Sequence, residues 1–304
     1  MRILFMGTSD FAAASLRKLL EEGREVCAVC TKPDRPSRRG MKFTGSPVKL
    51  EAERAGLPIL QPESLRDPEV QAELRAFGAD LFAVVAYGKL LPRAVLDIPP
   101  LGCVNVHGSL LPKYRGAAPI QWTVLNGEAE GGVSTMYLEE GMDSGSVILS
   151  AALPLEPYET YGSLYARLTD LGADLLVRTL NRIEAGDRSS VPQEEALATY
   201  APPITKDLCP VDWSRSPREI AAHLCGLDPK PGATADFGGT TFKLFSPQVL
   251  EGETDLPDGS IAAQGKEGLD IACGGGKLLR VRELQAPGGR RMAAADYLRG
   301  HKLG

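Results

Sequence analysis

Asn105, His107 and Asp143 are the residues of this chain whose types and spacing could do chemistry together. In Cys103-Val104-Asn105-Val106-His107, polar-capable side chains alternate with valine, the period of a β-strand. Asn105 and His107 are therefore expected on one face, about 7 Å apart along it. Gly108 then lets the backbone turn at the strand's carboxyl end, where open α/β sheets take their ligands. Asp143 sits in Gly141-Met142-Asp143-Ser144-Gly145, a composition that favours a tight turn. An amide, an imidazole and a carboxylate brought together can stabilise an oxyanion and move a proton. Each also has a plain structural use: Asn bonding backbone, Asp opening a turn, His satisfied at a strand end. No second His or Cys lies at ligand spacing beside His107, which argues against a metal centre, and Gly-x-Ser-x-Gly is absent.

The elements that must position these groups follow from the apolar pattern. Residues 2–7 read as a continuous apolar strand ending in glycine, as a parallel strand buried on both faces should. Thr8, Ser9 and Asp10 offer caps for a helix through Leu16, Leu19 and Leu20, closed by Gly23, and a second strand over residues 25–31 completes a βαβ unit. Gly7 alone does not make G-x-G-x-x-G, so dinucleotide binding is not expected. Ser46 and Pro47, then Asp67 and Pro68, open two more helices around a short strand at residues 58–60. Residues 81–86 form the next buried strand, and the Tyr87-Gly88-Lys89-Leu90-Leu91-Pro92 loop that follows suits either a flat heterocycle or the core. A helix at 120–125, strands at 133–138 and 147–153, and a long helix from Thr160 to Gly186 complete the first region. This predicts an α/β, Rossmann-like, mostly parallel seven-stranded sheet.

The grammar then changes. Residues 187–206, with Ala201-Pro202-Pro203, are polar and helix-poor and read as a linker. Beyond them, a short helix at 217–224 and strands near 233–237, 241–245, 260–263, 269–272 and 278–284, separated by Gly and Pro turns, predict a small β-barrel. Arg215, Arg218, Lys230, Lys243, Lys277, Arg280, Arg282, Arg290, Arg291 and Lys302 are candidates for a basic face on it.

At 304 residues, 43% hydrophobic and 24% charged, the chain has the balance of a globular protein with a sizeable core. A formal net charge of -5 argues against bulk, sequence-blind nucleic-acid binding but leaves room for a local basic patch. No apolar run approaches the roughly 18 residues of a membrane span, Met1-Arg2 leads straight into a strand, and the cytoplasm is the expected location. Cys27 and Cys30 spell C-x-x-C, but on a strand they point to opposite faces, unlike a redox pair at a helix start. Residues 31–49 carry six basic side chains among prolines and glycines, centred on Arg38-Arg39-Gly40, and read as a basic surface loop.

The run from Asn105 to Gln121, Asn-x-His-Gly-Ser-Leu-Leu-Pro-Lys-Tyr-Arg-Gly-Ala-Ala-Pro-Ile-Gln, with Asp143-Ser144-Gly145 downstream, resembles the formyltransferase family that uses 10-formyltetrahydrofolate. The resemblance spans essentially the whole chain and is strongest to the branch that formylates the methionine of initiator methionyl-tRNA. It implies a catalytic domain over residues 1–186, a linker over 187–206 and an OB-like tRNA-binding barrel over 207–304. It implies Asn105, His107 and Asp143 as catalytic residues. Tyr87, Gly88, Leu90, Leu91, Ser109, Leu110, Leu111 and Pro112 would then bind the folate co-substrate, and Arg38, Arg39 and Lys42 the tRNA. A monomer without a metal is expected. Acceptors such as glycinamide ribonucleotide or a nucleotide sugar, an inactive folate-binding regulator, and a tRNA-binding module without chemistry remain alternatives. The basic loop and the terminal barrel disfavour the small acceptors, and the intact polar triad disfavours the inactive proteins.

Overall fold

The computed structural model describes residues 1–36 and 43–303. The chain folds as two compact units: residues 1–116, 132–153 and 166–200 form the first, and residues 117–131, 154–165 and 201–304 the second.

The first unit is built on strands Ile3–Gly7 (β1), Val26–Cys30 (β2), Ile59–Leu60 (β3), Leu81–Val85 (β4), Cys103–His107 (β5), Glu130–Tyr137 (β6) and Val147–Pro154 (β7). They form one sheet in the order β7-β6-β5-β4-β1-β2-β3. From β3 to β5 every pair is parallel, and β6 then runs antiparallel to β5. All residues of β1, β4 and β5 are buried, which is why β1 and β4 read as unbroken apolar runs, while β5 buries Asn105 and His107 as well.

Helix Asp10–Glu21 (α1) follows β1 as expected, with Ser9 at its N-cap position. The Ser9 hydroxyl does not cap, however, and Thr8 instead donates to the Tyr87 carbonyl, 3.1 Å away. Pro47–Arg54 (α2) and Pro68–Ala76 (α3) start on the side chains the sequence offers: Ser46 accepts from the Lys49 amide and Asp67 from the Glu69 amide. On one face of the sheet Leu4, Met6, Ala28, Cys30, Leu74, Phe82, Val84 and Cys103 make a continuous core. Because side chains alternate along a strand, Asn105 and His107 share that face with Cys103. The long helix Tyr161–Glu184 carries Gly172, where an added Cβ would stand 2.8 Å from Phe11 and 3.3 Å from Val106, contacts of the opposite face.

In the second unit, Ala233–Phe237 (β8), Thr240–Leu250 (β9), Ile261–Gly265 (β10), Gly268–Cys273 (β11) and Lys277–Gln285 (β12) form an antiparallel sheet in the order β8-β9-β12-β11-β10. Met292–Ala293 (β13) pairs with β12. Helix Pro217–Gly226 begins with a full capping box, Ser216 and Glu219 satisfying each other's backbone N–H groups, and lays Ile220 and Leu224 on the sheet core beside Phe242, Leu244 and Leu279. All five strands expected here are present.

Gly7 is a packing residue: a methyl group at its Cα would meet Ala12 Cβ at 2.6 Å, Phe5 at 2.8 Å and the Val85 carbonyl at 2.9 Å. Overpacking of this kind typically costs about 1–3 kcal/mol. Gly7→Ala is thus expected to lower unfolding stability by that amount in a denaturant titration, and an unchanged midpoint would refute the packing role.

Candidate active site

The structure brings His107 and Asp143 together. β5 buries His107 at the end of the sheet core, and the chain after β6 returns along the same face to bring the Asp143 carboxylate to it, Oδ2 lying 3.6 Å from Nδ1. The return is tight. Leu138 N–H donates to the Cys103 carbonyl and Tyr137 N–H to the Ser146 carbonyl, so residues 138–146 leave and rejoin the edge of the sheet at nearly one point. Asp143 adopts φ +49°, the left-handed region that Asp tolerates better than most residues. Gly145 is required by approach: a Cβ there would lie 1.8 Å from the Tyr137 carbonyl oxygen.

Hydrogen-bond roles follow from what each partner can do. His107 Nε2 lies 2.9 Å from the Tyr114 carbonyl, which can only accept, so Nε2 carries a proton. Nδ1 then faces the carboxylate, 3.6 Å from Oδ2. The same Oδ2 accepts from the Gly116 N–H at 2.8 Å, which fixes the carboxylate independently of the imidazole. Nε2 of His107 is therefore committed to a carbonyl, and Nδ1 faces the carboxylate just outside hydrogen-bond range. Asn105 differs: its side chain is largely buried on the same face, and among the described residues it has no hydrogen-bond partner. Of the two donors expected to meet an oxyanion, the Asn105 amide is the one available in this geometry.

The loop after His107 is held from below. Ser134, paired with His107 across β5 and β6, donates to the Ser109 carbonyl at 2.8 Å and accepts from Leu111 N–H at 3.2 Å. Ser109 is buried with its hydroxyl on the Lys113 carbonyl, so it is spoken for rather than poised as a nucleophile. Leu110 lies over Gly132, where a Cβ would be 2.4 Å from its Cδ2. Leu111 and Pro112 stay partly exposed.

The other expected folate loop splits by burial. Gly88 and Leu90 are exposed, Leu90 at 77%, whereas Tyr87 and Leu91 belong to the core. The Tyr87 hydroxyl lies 3.4 Å from Cys30 Sγ, and burial pushes the phenol above its ordinary range and the Cys30 thiol up to about 11. Tyr87 and Leu91 hold this loop from beneath; Gly88 and Leu90 are the residues that a flat ligand can reach. Arg38, Arg39 and Lys42 lie outside the described residues.

The sequence reading missed a second tier. Arg115 is 2% exposed, and its guanidinium donates through Nε to Gln193 Oε1 at 3.0 Å and through Nη1 to both carboxylate oxygens of Glu195. Gln193 Nε2 donates to the carbonyls of Asp143 and Gly145, each at 2.7 Å. Thr199 accepts the Tyr114 N–H on its hydroxyl and the Arg115 N–H on its carbonyl. Residues 187–200, expected in a linker, thus belong to the first unit and bond directly to the loops around His107 and Asp143. No periodic pattern marks them; the available signal is a neutral amide and a carboxylate in a region otherwise read as linker, together with an arginine in the motif that needs a partner.

Asn105 and His107 on one face of β5, with a carboxylate returned on a glycine-flanked loop, bring together an amide, an imidazole and a carboxylate. Residues 1–180 match the family described as formyl transferase, and residues 203–302 match the formyl transferase C-terminal domain. The chain belongs to the formyl transferase family. Among its relatives, the methionyl-tRNA formyltransferase of Desulfotalea psychrophila is 46% identical over 304 residues, covering 100% of this chain and 94% of that protein. The methionyl-tRNA formyltransferase of Geobacter sulfurreducens is 44% identical over 303 residues, covering 100% and 95%. Solved structures of similar fold include HypX from Aquifex aeolicus in complex with tetrahydrofolic acid, with TM-score 0.66, 20% identity and coverage of 98% of this chain and 47% of that one. The sugar 3N-formyl transferase WlaRD has TM-score 0.69 and 16% identity, covering 92% and 97%.

Gly145→Ala is expected to move the Asp143 loop off His107, because the clash is with backbone and nothing flexible can give way. Formyl transfer should fall roughly 10–100-fold, as misplacement of a reacting group by about 1 Å does. Wild-type kcat in a folded Gly145→Ala protein would show that the loop need not hold this position.

Proposed function

We propose that this protein transfers the formyl group of 10-formyltetrahydrofolate to the α-amino group of methionine on initiator methionyl-tRNA, in the cytoplasm, in preparation for translation initiation. The acceptor is carried by one observation: eight relatives of that name are 42–46% identical to the chain over at least 99% of its length. Among the described residues no helix is long and apolar enough to cross a membrane.

The bound co-substrate supplies the formyl group, and its flat ring fits the exposed Gly88 and Leu90 on one loop and Leu110, Leu111 and Pro112 on the other. Tyr87, Leu91 and Ser109 support those loops. Asn105 donates its amide N–H to the formyl oxygen as negative charge grows there; removal of such a donor costs about 3 kcal/mol in the transition state. The amine must lose a proton and the departing folate nitrogen must gain one. The Asp143 carboxylate, facing His107 Nδ1 at 3.6 Å, can take the proton from the amine, directly or through a water, and with the imidazole return it to the departing nitrogen. No covalent intermediate on the protein is needed, and the buried, bonded Ser109 hydroxyl agrees with that.

For tRNA, the C-terminal part of the chain, residues 207–304, is assigned to holding the acceptor's body. There, the second unit narrows the basic candidates. Arg215, Arg280, Arg291 and Lys277 are paired with carboxylates, Arg282 with Gln248, and Lys243 with the Pro231 carbonyl. Arg218, Lys230, Arg290 and Lys302 are exposed with no side-chain partner among the described residues, so these four are the phosphate contacts we assign. Arg38, Arg39 and Lys42 in the first unit are assigned to the acceptor stem, and the protein is taken to act as a monomer.

Incubation with 10-formyltetrahydrofolate and methionyl-tRNA should yield formyl-methionyl-tRNA. Binding of both without product would leave an inactive folate and tRNA binder. Asn105→Ala and His107→Ala should each lower kcat by about two orders of magnitude or more with folding intact; near-wild-type kcat in either would remove that residue from the site. Arg39→Ala should raise KM for methionyl-tRNA or lower kcat while stability stays within about 0.5 kcal/mol. Arg38→Ala removes the same charge from the same loop, so equal, salt-sensitive effects at both positions would reduce the assignment to a diffuse basic patch.

A further inference from the structure

We infer that Gln193 is a positioning residue for formyl transfer, clamping the Asp143 loop so that its carboxylate stays opposed to His107. The inference rests on the reading of Asp143 as part of the proton-moving pair.

The orientation of the Gln193 amide is fixed by its neighbours. Two carbonyl oxygens, those of Asp143 and Gly145, stand 2.7 Å from Nε2, and carbonyls can only accept; the Arg115 Nε stands 3.0 Å from Oε1 and can only donate. Nε2 therefore spends both protons on the Asp143 loop, one on each side of Ser144. The same loop is touched from the other direction by the Gly116 N–H, which donates to the Asp143 carboxylate itself. Arg115 and Gly116 are consecutive, so one short stretch of chain governs the backbone of Asp143 through Gln193 and its side chain directly. The distance being governed is critical. At 3.6 Å, Nδ1 and Oδ2 stand just beyond the range of an N–H···O bond, and a small displacement either closes or abolishes the proton path.

Packing alone does not account for this arrangement. A buried guanidinium is expensive unless its N–H groups are matched, and here Nη2 is buried with no partner. A hydrocarbon side chain would fill the space at less cost. What the arginine supplies and a hydrocarbon could not is a donor that orients the Gln193 amide toward the two carbonyls.

The test compares kcat, both KM values and the kcat–pH profile for Gln193→Glu, Gln193→Met, Asp143→Asn and Leu74→Ala in the full chain. Gln193→Glu keeps the shape and gives Arg115 a better acceptor, but turns an oxygen toward two carbonyls. Both Gln193 variants are expected to lose roughly 10–100-fold in kcat, with KM for either substrate nearly unchanged and the pH profile displaced. Leu74→Ala, in the core of the same unit, should lose stability while keeping wild-type kcat and pH profile. Wild-type kcat and pH profile in Gln193→Glu would overturn the inference, because Gln193 would then serve only to satisfy Arg115; that arm stands even if Gln193→Met fails to fold. Losses in Gln193→Met no larger than those of Leu74→Ala at matched stability would overturn it as well. Wild-type kcat in Asp143→Asn would bring down the catalytic reading of Asp143 and the clamp with it, whereas an inactive Asp143→Asn beside a wild-type Gln193→Glu removes the clamp alone.

Discussion

A guanidinium cannot shed its charge at any pH a folded protein meets, so an arginine taken almost wholly out of water dictates what surrounds it. Arg115 is such a residue, and the chain answers it with Gln193 and Glu195, which come from nearly eighty positions downstream. Glu195 itself is 72% exposed, so the pair is buried at one end and wet at the other, which lightens the cost of desolvating the carboxylate. Meeting that requirement draws residues 193–199 across the loops that follow β5 and β6. The positions of Tyr114, Gly116, Asp143 and Gly145 then cease to be independent of one another.

Within that frame, the division of labour among the polar groups comes from counting donors and acceptors. The Tyr114 carbonyl takes the Nε2 proton of His107 and so turns Nδ1 toward Asp143. An imidazole held by one nitrogen and facing a carboxylate with the other is suited to relaying a proton. The Asn105 amide, two residues earlier on the same face and without a partner among the described residues, is suited to meeting new negative charge. The alternation of β5 places them side by side, and the carbonyl at Tyr114 makes them different.

The sheet was legible because its inner strands are buried on both faces and read as uninterrupted apolar runs, and α2 and α3 because Ser46-Pro47 and Asp67-Pro68 carry their own start signals. Strand alternation likewise put Asn105 and His107 on one face. The parts that escaped depend on interactions between segments far apart in sequence. Residues 187–200 are polar and irregular because they bond to other loops rather than to a repeating partner, so composition alone reads them as a tether. The Tyr87–Pro92 loop reads from sequence as suited to either a flat heterocycle or the core; the structure divides it, with Tyr87 packed against the Cys30 thiol and Leu90 exposed. For the basic side chains of the second unit the sequence gives charge but not pairing, and six of the ten are already occupied within that unit.

The order in which the chain is made acquires a meaning from this. A polypeptide ending at Gly186 would hold every strand of the parallel sheet and all three polar side chains, yet none of Gln193, Glu195 and Thr199. Arg115 would then lie without either of its partners, and the Asp143 loop would lose the two Gln193 bonds to the carbonyls of Asp143 and Gly145. On the ribosome, with the N-terminal part folding first, the sheet can assemble before the site does. Closure awaits the emergence of about a dozen further residues, so the working boundary of the first unit falls near Tyr200 rather than at the end of the long helix.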